Sequence, residues 1–579
     1  MRRRTGRVLL ALFFLSGASS LIYEIVWTRL FTIVIGNTVF SVSAILSVFM
    51  AGLAIGSRLA GRFIDERSVP LTRIYAVLEA GIGIFNFLLP TLLKVSTPLF
   101  GALYSSAYQS EVVLGLARFG ITFALLIIPA TLIGATLPIL VRFYTENIDD
   151  VGWQTGRVYA VNTMGAALGV ALAGFVLVPR VGTMFALYAA AVCNIGIAVA
   201  AWNVGKGIRG MHPESLNPKG FGVRPSNSFQ GSRLVLVAMF LSGFAALLDE
   251  VAWTRVLALI AGPTTYAFTF MLCSMILGLA LGAAAGSAWC RRYGAQLSTF
   301  TWIEAGVGCT SLALILAFGR LPLLIASLVR RYSGSISSIQ TAEFLIFFGL
   351  MLAPTVFLGM TFPIASKLYA KSDSSIGSDV SAIYASNTAG GIIGSFIAGF
   401  VLIPAAGTQS TLLFAAVLSA LAGISVAVAN RRWLPAVCCL TAAIAGIFIP
   451  RWNPELMSSG AYKYAPMYAS SVDLESMLTR GDLMYFKEGA ATTVSVRKYG
   501  GTMALSIDGK VDATDAGDMT TQKMLAHLPL LLSKEPKNVA VIGLGSGVTA
   551  ASTLEHAVEK VDVIEISPEV VAAATYSLV

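Results

Sequence analysis

Residues 16–30 read SGASSLIYEIVWTRL, and residues 242–256 read SGFAALLDEVAWTRV. Glu24 recurs as Glu250, 226 positions on, and Trp27, Thr28 and Arg29 recur as Trp253, Thr254 and Arg255. Gly52 and Gly56 return as Gly278 and Gly282 at the same spacing. The spacing then falls to 225: Glu79 and Gly83 return as Glu304 and Gly308, and Pro129 as Pro354. Gly134 and Pro138 match Gly359 and Pro363, Tyr159 and Asn162 match Tyr384 and Asn387, and Gly174, Pro179 and Gly182 match Gly399, Pro404 and Gly407. So many glycine, proline and charged matches at one spacing mark a duplicated structural unit, which imposes one architecture on both copies.

Each copy is built from long uncharged apolar runs, close to the ~20 residues that a helix needs to cross hydrocarbon. The chain is 56% hydrophobic and 12% charged, against about 25% charged in a soluble domain. The runs predict helices near 8–30, 38–60, 73–97, 114–143, 157–178 and 184–203, then near 234–256, 264–288, 299–319, 341–368, 381–402 and 411–429. A further apolar run covers 433–450. An even number of spans per copy makes both copies enter from the same side, as parallel repeats. The start, MRRRTGRVLLALFFLSGASS, has the make-up of a signal peptide, but its recurrence inside the chain makes it a first membrane helix.

The expected fold is a polytopic α-helical membrane protein, two parallel six-helix repeats plus one extra apolar segment, followed by a partial α/β Rossmann-like domain with a small N-terminal β-sheet. The expected boundaries are a first membrane repeat at 1–204, a cytoplasmic linker at 205–232, a second repeat at 233–430, an extra apolar segment at 431–450, a linker at 451–480 and a soluble domain at 481–579. The formal charge of +10 gathers in short loops, at Arg2 to Arg4, Arg58 to Arg73, Lys206 to Arg233, Arg291 and Arg292, and Arg431 and Arg432. That pattern fits the positive-inside rule, with a cytoplasmic N-terminus in a cell (inner) membrane, rather than nucleic-acid binding. The six cysteines sit in or beside apolar segments and show no metal spacing; no metal is expected.

Ionisable and amide groups at membrane depth are costly and mark function or a specific partner. Glu24 and Glu250 fall late in the first helix of each copy, Glu79 and Glu304 in the third, and Asn162 and Asn387 in the fifth. One reading gathers them in a central cavity with Trp27 and Trp253, where carboxylates and aromatic faces suit an organic amine. The other reading is structural: Glu24 with Arg29 and Glu250 with Arg255 as ion pairs near the interface. The repeated glycines read as close helix packing.

After Pro450 the composition becomes that of a soluble protein. Residues 482–508 predict three strands with a turn at Gly500-Gly501. An apolar strand at 538–542 runs into Gly543, Gly545 and Gly547, then a helix, then a second strand ending at Glu565. This is the opening β-α-β of a Rossmann-like domain, in which glycines let backbone approach a nucleoside and the acid receives ribose hydroxyls.

The run Tyr485-Phe-Lys-Glu-Gly-Ala-Ala-Thr-Thr, then Leu505-Ser-Ile-Asp508-Gly509-Lys, Gln522-Lys-Met-Leu-Ala-His527-Leu-Pro529 and the glycine loop resembles the spermidine synthase (polyamine aminopropyltransferase) family. The likeness is closest to bacterial members fused to a major-facilitator-like membrane part, whose signature Gly61-Arg-Phe-Ile-Asp65-Glu-Arg67 also resembles. The resemblance implies a transferase of polyamine biosynthesis, moving an aminopropyl group from decarboxylated S-adenosylmethionine to a small amine such as putrescine. It implies that Gly543, Gly545, Ser546 and Gly547 cradle the nucleoside, that Glu565 holds the ribose, and that His527 and Asp512 border the donor site. The sequence departs from the family at Asp512 (usually Gln), Thr521 (usually Tyr) and Ser546 (usually Asp). The family's acidic catalytic segment after the fourth strand is not found before Val579, so this chain alone is expected to be inactive and its C-terminal domain incomplete. The alternatives are an amine or polyamine transporter with a vestigial or regulatory nucleoside-binding domain, and a methyltransferase using S-adenosylmethionine itself. The side of the membrane that holds the soluble domain depends on whether 433–450 spans.

Overall fold

The computed structural model describes all residues except 1, 36–38, 68, 108–110, 208–228, 430, 469–472, 490–491 and 577–579. Most of the linker expected at 205–232 lies outside the described residues. Among the described residues, twelve helices are long and apolar enough to cross a membrane. The first copy comprises α1 (Arg2–Ile35), α2 (Val39–Glu66), α3 (Leu71–Ala107), α4 (Glu111–Tyr144), α5 (Val151–Leu172) and α6 (Thr183–Gly207). The second comprises α7 (Phe229–Ala261), α8 (Thr265–Tyr293), α9 (Leu297–Phe318), a short α10 (Leu321–Arg331), α11 (Ile336–Tyr369), α12 (Ile376–Ile397) and α13 (Thr408–Ala429).

The duplication holds in local detail. The same pentapeptide, AGFVL, follows α5 at Ala173–Leu177 and α12 at Ala398–Leu402, and both open into a π turn. Gly182 and Gly407, with φ of 89° and 84°, then reverse the chain in a conformation closed to most side chains. Within the copies α1 packs on α5, α3 on α6, α7 on α12 and α9 on α13; the copies meet where α2 lies on α12 and α5 on α8. Glycine sets how close these helices come. A methyl on Gly56 would overlap the Thr131 carbonyl, and one on Gly282 the Val356 carbonyl, so both copies use the same small-residue contact.

The expected extra segment is a helix, α14 (Trp433–Ile447), packed along α13 and α9. It rises about 22 Å. Beyond it, Trp452 donates from Nε1 to the Ile315 carbonyl at 2.9 Å and sets its ring edge on Phe318. Phe318 closes α9, whose end lies on the face opposite the N-terminus, so α14 carries the chain across the bundle. On that face α10 begins at a break after Gly319, with a proline in its first turn. The segment expected as a linker at 451–480 is largely ordered: short helices at Pro454–Met457, Ala461–Tyr464 and Leu474–Leu478 pack on α10 through Ala326, Leu456, Ala461, Ala465 and Leu478.

The soluble domain opens with a four-stranded antiparallel sheet in sequential order: β1 (Asp482–Glu488), β2 (Thr493–Tyr499), β3 (Thr502–Ile507) and β4 (Lys510–Thr514). The fourth strand is an addition to the three expected. It is made by a two-residue hairpin, Asp508-Gly509, both at positive φ, the turn that matches strand twist. Helix α15 (Met519–Leu532) follows, then a parallel pair, β5 (Asn538–Ile542) and β6 (Lys560–Ile564), joined by α16 (Val548–Leu554), and finally α17 (Pro568–Ala574). Val570 and Ala573 of α17 pack on Val494, Val496 and Leu505 of the sheet.

Candidate functional site

Two groups of residues could carry chemistry, and they lie in different parts of the molecule. The first is the glycine loop between β5 and α16. Gly543, Gly545 and Gly547 all take positive φ, at 90°, 54° and 87°, which bends the backbone tightly and leaves it bare of side chains. The Gly543 N–H donates to the Ile564 carbonyl at 2.8 Å, tying the loop to β6. Glu565, at the end of β6, accepts from the Leu544 N–H at 2.8 Å and the Ser567 N–H at 2.9 Å. Each oxygen keeps acceptor capacity beyond its one bond.

Ser546 is buried and donates to Gln522 Oε1 on α15. Gln522 also donates from Nε2 to the Thr514 carbonyl at 2.8 Å, and its own carbonyl accepts from Thr549 at 2.9 Å. Gln522 therefore joins the sheet, α15 and the loop, a role that its place in the quoted motif did not reveal. His527 Nδ1 lies 2.8 Å from His556 Nε2, with Glu555 at 3.7 Å; the second histidine sits 29 positions away and was not singled out. Asp512 is on β4, paired with Lys510 at 2.8 Å and electrostatically close to Tyr462 and Tyr464. Thr521 is exposed on α15.

Of the membrane carboxylates, Glu79 and Glu304 lie in different bundles, while Glu24 and Glu250 come near one another. Glu79 lies inside the first bundle, fully buried, accepting from Ser16 Oγ of α1 at 2.6 Å and Asn194 Nδ2 of α6 at 2.5 Å. Asn194 Oδ1 in turn accepts from the Tyr23 hydroxyl at 2.8 Å. Glu304 lies inside the second bundle, fully buried, and neither oxygen has a hydrogen-bond partner among the described residues. Glu24 and Glu250 do approach one another closely enough to interact electrostatically. Trp27 and Trp253 are fully buried core residues; Trp27 stacks on Tyr23 and donates to Asn86 Oδ1 at 2.9 Å. Asn162 and Asn387 play matching structural parts, donating to the carbonyls of Phe13 at 3.0 Å and Met239 at 3.2 Å.

Arg255 turns toward the soluble domain, donating to the Gly489 carbonyl at 3.1 Å amid Asp508, Glu488 and Glu569. Glu488 also accepts from the Thr408 N–H at the start of α13 at 2.5 Å, where the helix dipole favours an anion. Burial raises the Glu488 carboxyl above its ordinary range, against the opposing pull of the Thr408 N–H and Arg255. A cleft of about 510 Å³ runs along this seam, between Gly407, Trp452 and Lys487.

Residues 518–578 match the spermine/spermidine synthase domain. Spermidine synthase 1 of Pisum sativum is 33% identical over 132 residues, covering 21% of this chain and 34% of the relative. Polyamine aminopropyltransferase of Archaeoglobus fulgidus is 37% identical over 67 residues, 12% of this chain and 25% of its own length. Putrescine N-methyltransferase 2 of Nicotiana attenuata is 33% identical over 112 residues, 18% of this chain and 28% of its own length. The chain thus spans about a third or less of these curated relatives. Among solved structures, a bacterial homologue of the iron transporter ferroportin aligns over 73% of this chain and 98% of its own, at 12% identity and a TM-score of 0.49. The fucose:proton symporter of Escherichia coli aligns over 73% of this chain and 97% of its own, at 16% identity and a TM-score of 0.43. The chain therefore joins a twelve-helix membrane part to a C-terminal segment that matches the spermine/spermidine synthase domain.

Proposed function

We propose that the C-terminal domain binds an adenosyl compound of the aminopropyl-donor class, decarboxylated S-adenosylmethionine, and serves aminopropyl transfer to a small amine such as putrescine. The observation that carries this reading is the loop of positive-φ glycines at 543, 545 and 547, pinned to β6 and held by Glu565, within the matched segment. Gly543, Gly545 and Gly547 leave backbone open to the nucleoside, and Glu565 supplies acceptors for the ribose hydroxyls. Gln522 and Ser546 position that loop, and His527 with His556 borders α15 and α16. Titration calorimetry on the purified full chain with decarboxylated S-adenosylmethionine and with S-adenosylmethionine tests the reading. Binding of the decarboxylated donor, weakened more than tenfold by Gly545→Val, is expected; preference for S-adenosylmethionine would transfer the reading to methyl transfer, and binding of neither would end it.

The second reading is transport of an amine by the membrane part, favoured by the approach of Glu24 to Glu250. Its test is uptake of labelled putrescine into vesicles holding the purified protein. Absence of flux, or flux unchanged in Glu24→Gln with Glu250→Gln, would count against it.

The basic loops support, by the positive-inside rule, a cytoplasmic N-terminal face in a cell membrane. The soluble domain, carried over by α14, then lies on the far side. Accessibility of single cysteines introduced at exposed Lys523 and Lys537, measured with an impermeant thiol reagent on intact cells, tests this placement; labelling only after lysis would reverse it.

A further inference from the structure

The second bundle buries a carboxylate, Glu304, that has no hydrogen-bond partner among the described residues, where the matching Glu79 of the first bundle has two. In the first, Ser16, Glu79, Asn194 and Tyr23 form one hydrogen-bonded chain. Their counterparts at the repeat spacing are Ser242, Glu304, Ser419 and Asp249. Asn86, the partner of Trp27, becomes Ser311. Each change shortens a side chain or removes its hydroxyl, so the groups that bridged the first bundle cannot do so in the second.

The result is visible atom by atom. Both oxygens of Glu304, Oδ1 of Asp249 and the hydroxyls of Ser242 and Ser311 are buried without a hydrogen-bond partner among the described residues. The four residues are between 0% and 3% exposed. Ser242 stands beside Glu304 without reaching hydrogen-bond geometry. An orphaned buried polar group costs about 1–3 kcal/mol, and more where it is charged. Several together in one bundle make a site that is complete only with an occupant.

We infer that the second bundle takes up a small monovalent cation, sodium or hydronium, at Glu304 with Ser242 and Ser419, continuing toward Asp249 and Ser311. The donor set is oxygen only, carboxylates and hydroxyls, which suits a hard cation. The burial excludes a bulky organic ammonium. Asp249 and Ser311 each lie seven positions beyond Ser242 and Glu304, two helical turns or about 10 Å along α7 and α9, so the polar groups form a track rather than one coordination shell. The titratable group facing Glu304 from α14 is Cys439; α14 closes the outer side of α9 and α13, a cover with no counterpart in the first copy among the described residues. This inference stands apart from the adenosyl reading, since no residue is shared.

The test is the thermal unfolding midpoint of the purified full chain in detergent, in sodium, potassium, choline and calcium chlorides of equal ionic strength, across pH. Sodium as occupant raises the midpoint over choline by about 2–4 °C at fixed pH; hydronium raises it as pH falls in choline chloride. Either response should vanish in Glu304→Gln. It should also vanish in the double variant Asp249→Tyr with Ser419→Asn, which copies the hydrogen-bonded chain of the first bundle. Midpoints indifferent to salt and pH, responses that persist in both variants, or a response to calcium alone would overturn the inference.

Discussion

The two six-helix copies agree where helices touch and differ where polar groups meet. Both open a π turn at the same pentapeptide, both tie the fifth helix to the first through an asparagine amide, and both bond a threonine hydroxyl to the Glu24 or Glu250 carbonyl at 2.8 Å. The differences fall in two places. Helix α3 runs on to Ala107, whereas its counterpart breaks after Phe318 and turns into α10, the platform for the soluble domain. Glu79 has two hydrogen-bond donors from other helices, whereas Glu304 has none among the described residues. Packing residues were held in common because each helix contact has few solutions, and the second copy took on the soluble domain and a buried carboxylate without a hydrogen-bond partner among the described residues.

The largest effect expected from breaking this asymmetry is at the domain seam. Arg255→Ala removes the donor to Gly489 and leaves Glu488, Asp508 and Glu569 facing a gap. Truncating one member of a buried charged set costs about 2–5 kcal/mol, and here the loss appears as undocking of the soluble domain. Limited proteolysis of the full chain should release the domain at least tenfold faster than in the native protein. The matching Arg29→Ala, in the copy that holds no soluble domain among the described residues, should leave that release rate unchanged. Equal rates for the two variants would show that Arg255 does not hold the seam.

The membrane architecture was legible because a span must be apolar over its whole length, and a duplication shows twice. The β5–α16–β6 turn was legible because three glycines at alternate positions have few other uses. β4 was hidden: Lys510-Val-Asp-Ala-Thr carries only two apolar residues, and the Asp508-Gly509 pair before it was the available signal. The partners of Glu79 were beyond reach, since Ser16 and Asn194 stand 63 and 115 positions away and only the fold brings them together. Arg255 is a further case: its near neighbour Glu250 suggested an ion pair, while its bond to the Gly489 carbonyl reaches into the other domain, which only the fold brings near.

A smaller contrast should separate the two buried carboxylates themselves. Glu79→Leu removes the acceptor for Ser16 and Asn194 and orphans both, at about 1–3 kcal/mol per group. Glu304→Leu removes an acid without a hydrogen-bond partner among the described residues, so in choline chloride at neutral pH it should leave stability unchanged or raise it. Unfolding midpoints of the two variants side by side give the answer. A loss at Glu304→Leu as large as at Glu79→Leu would mean that the second bundle supplies a partner after all.

The smallest effect concerns pH at the seam. The Glu488 carboxyl is raised in the docked protein because burial outweighs the Thr408 N–H and Arg255. A carboxyl raised on docking holds its proton more tightly docked than free. Docking is therefore strongest below the ordinary carboxylate range and weakens as pH rises from that range through the raised value. Proteolytic release of the domain should accelerate over that window, and Glu488→Gln, which cannot ionise yet still accepts from Thr408, should flatten the dependence while leaving docking in place. First-copy variants such as Glu79→Leu should leave the slope unaltered, because the titrating carboxyl sits on the second copy's side of the molecule. A slope of opposite sign would mean that Arg255 and the start of α13 outweigh burial at Glu488, turning the seam into an ion pair that needs the charge.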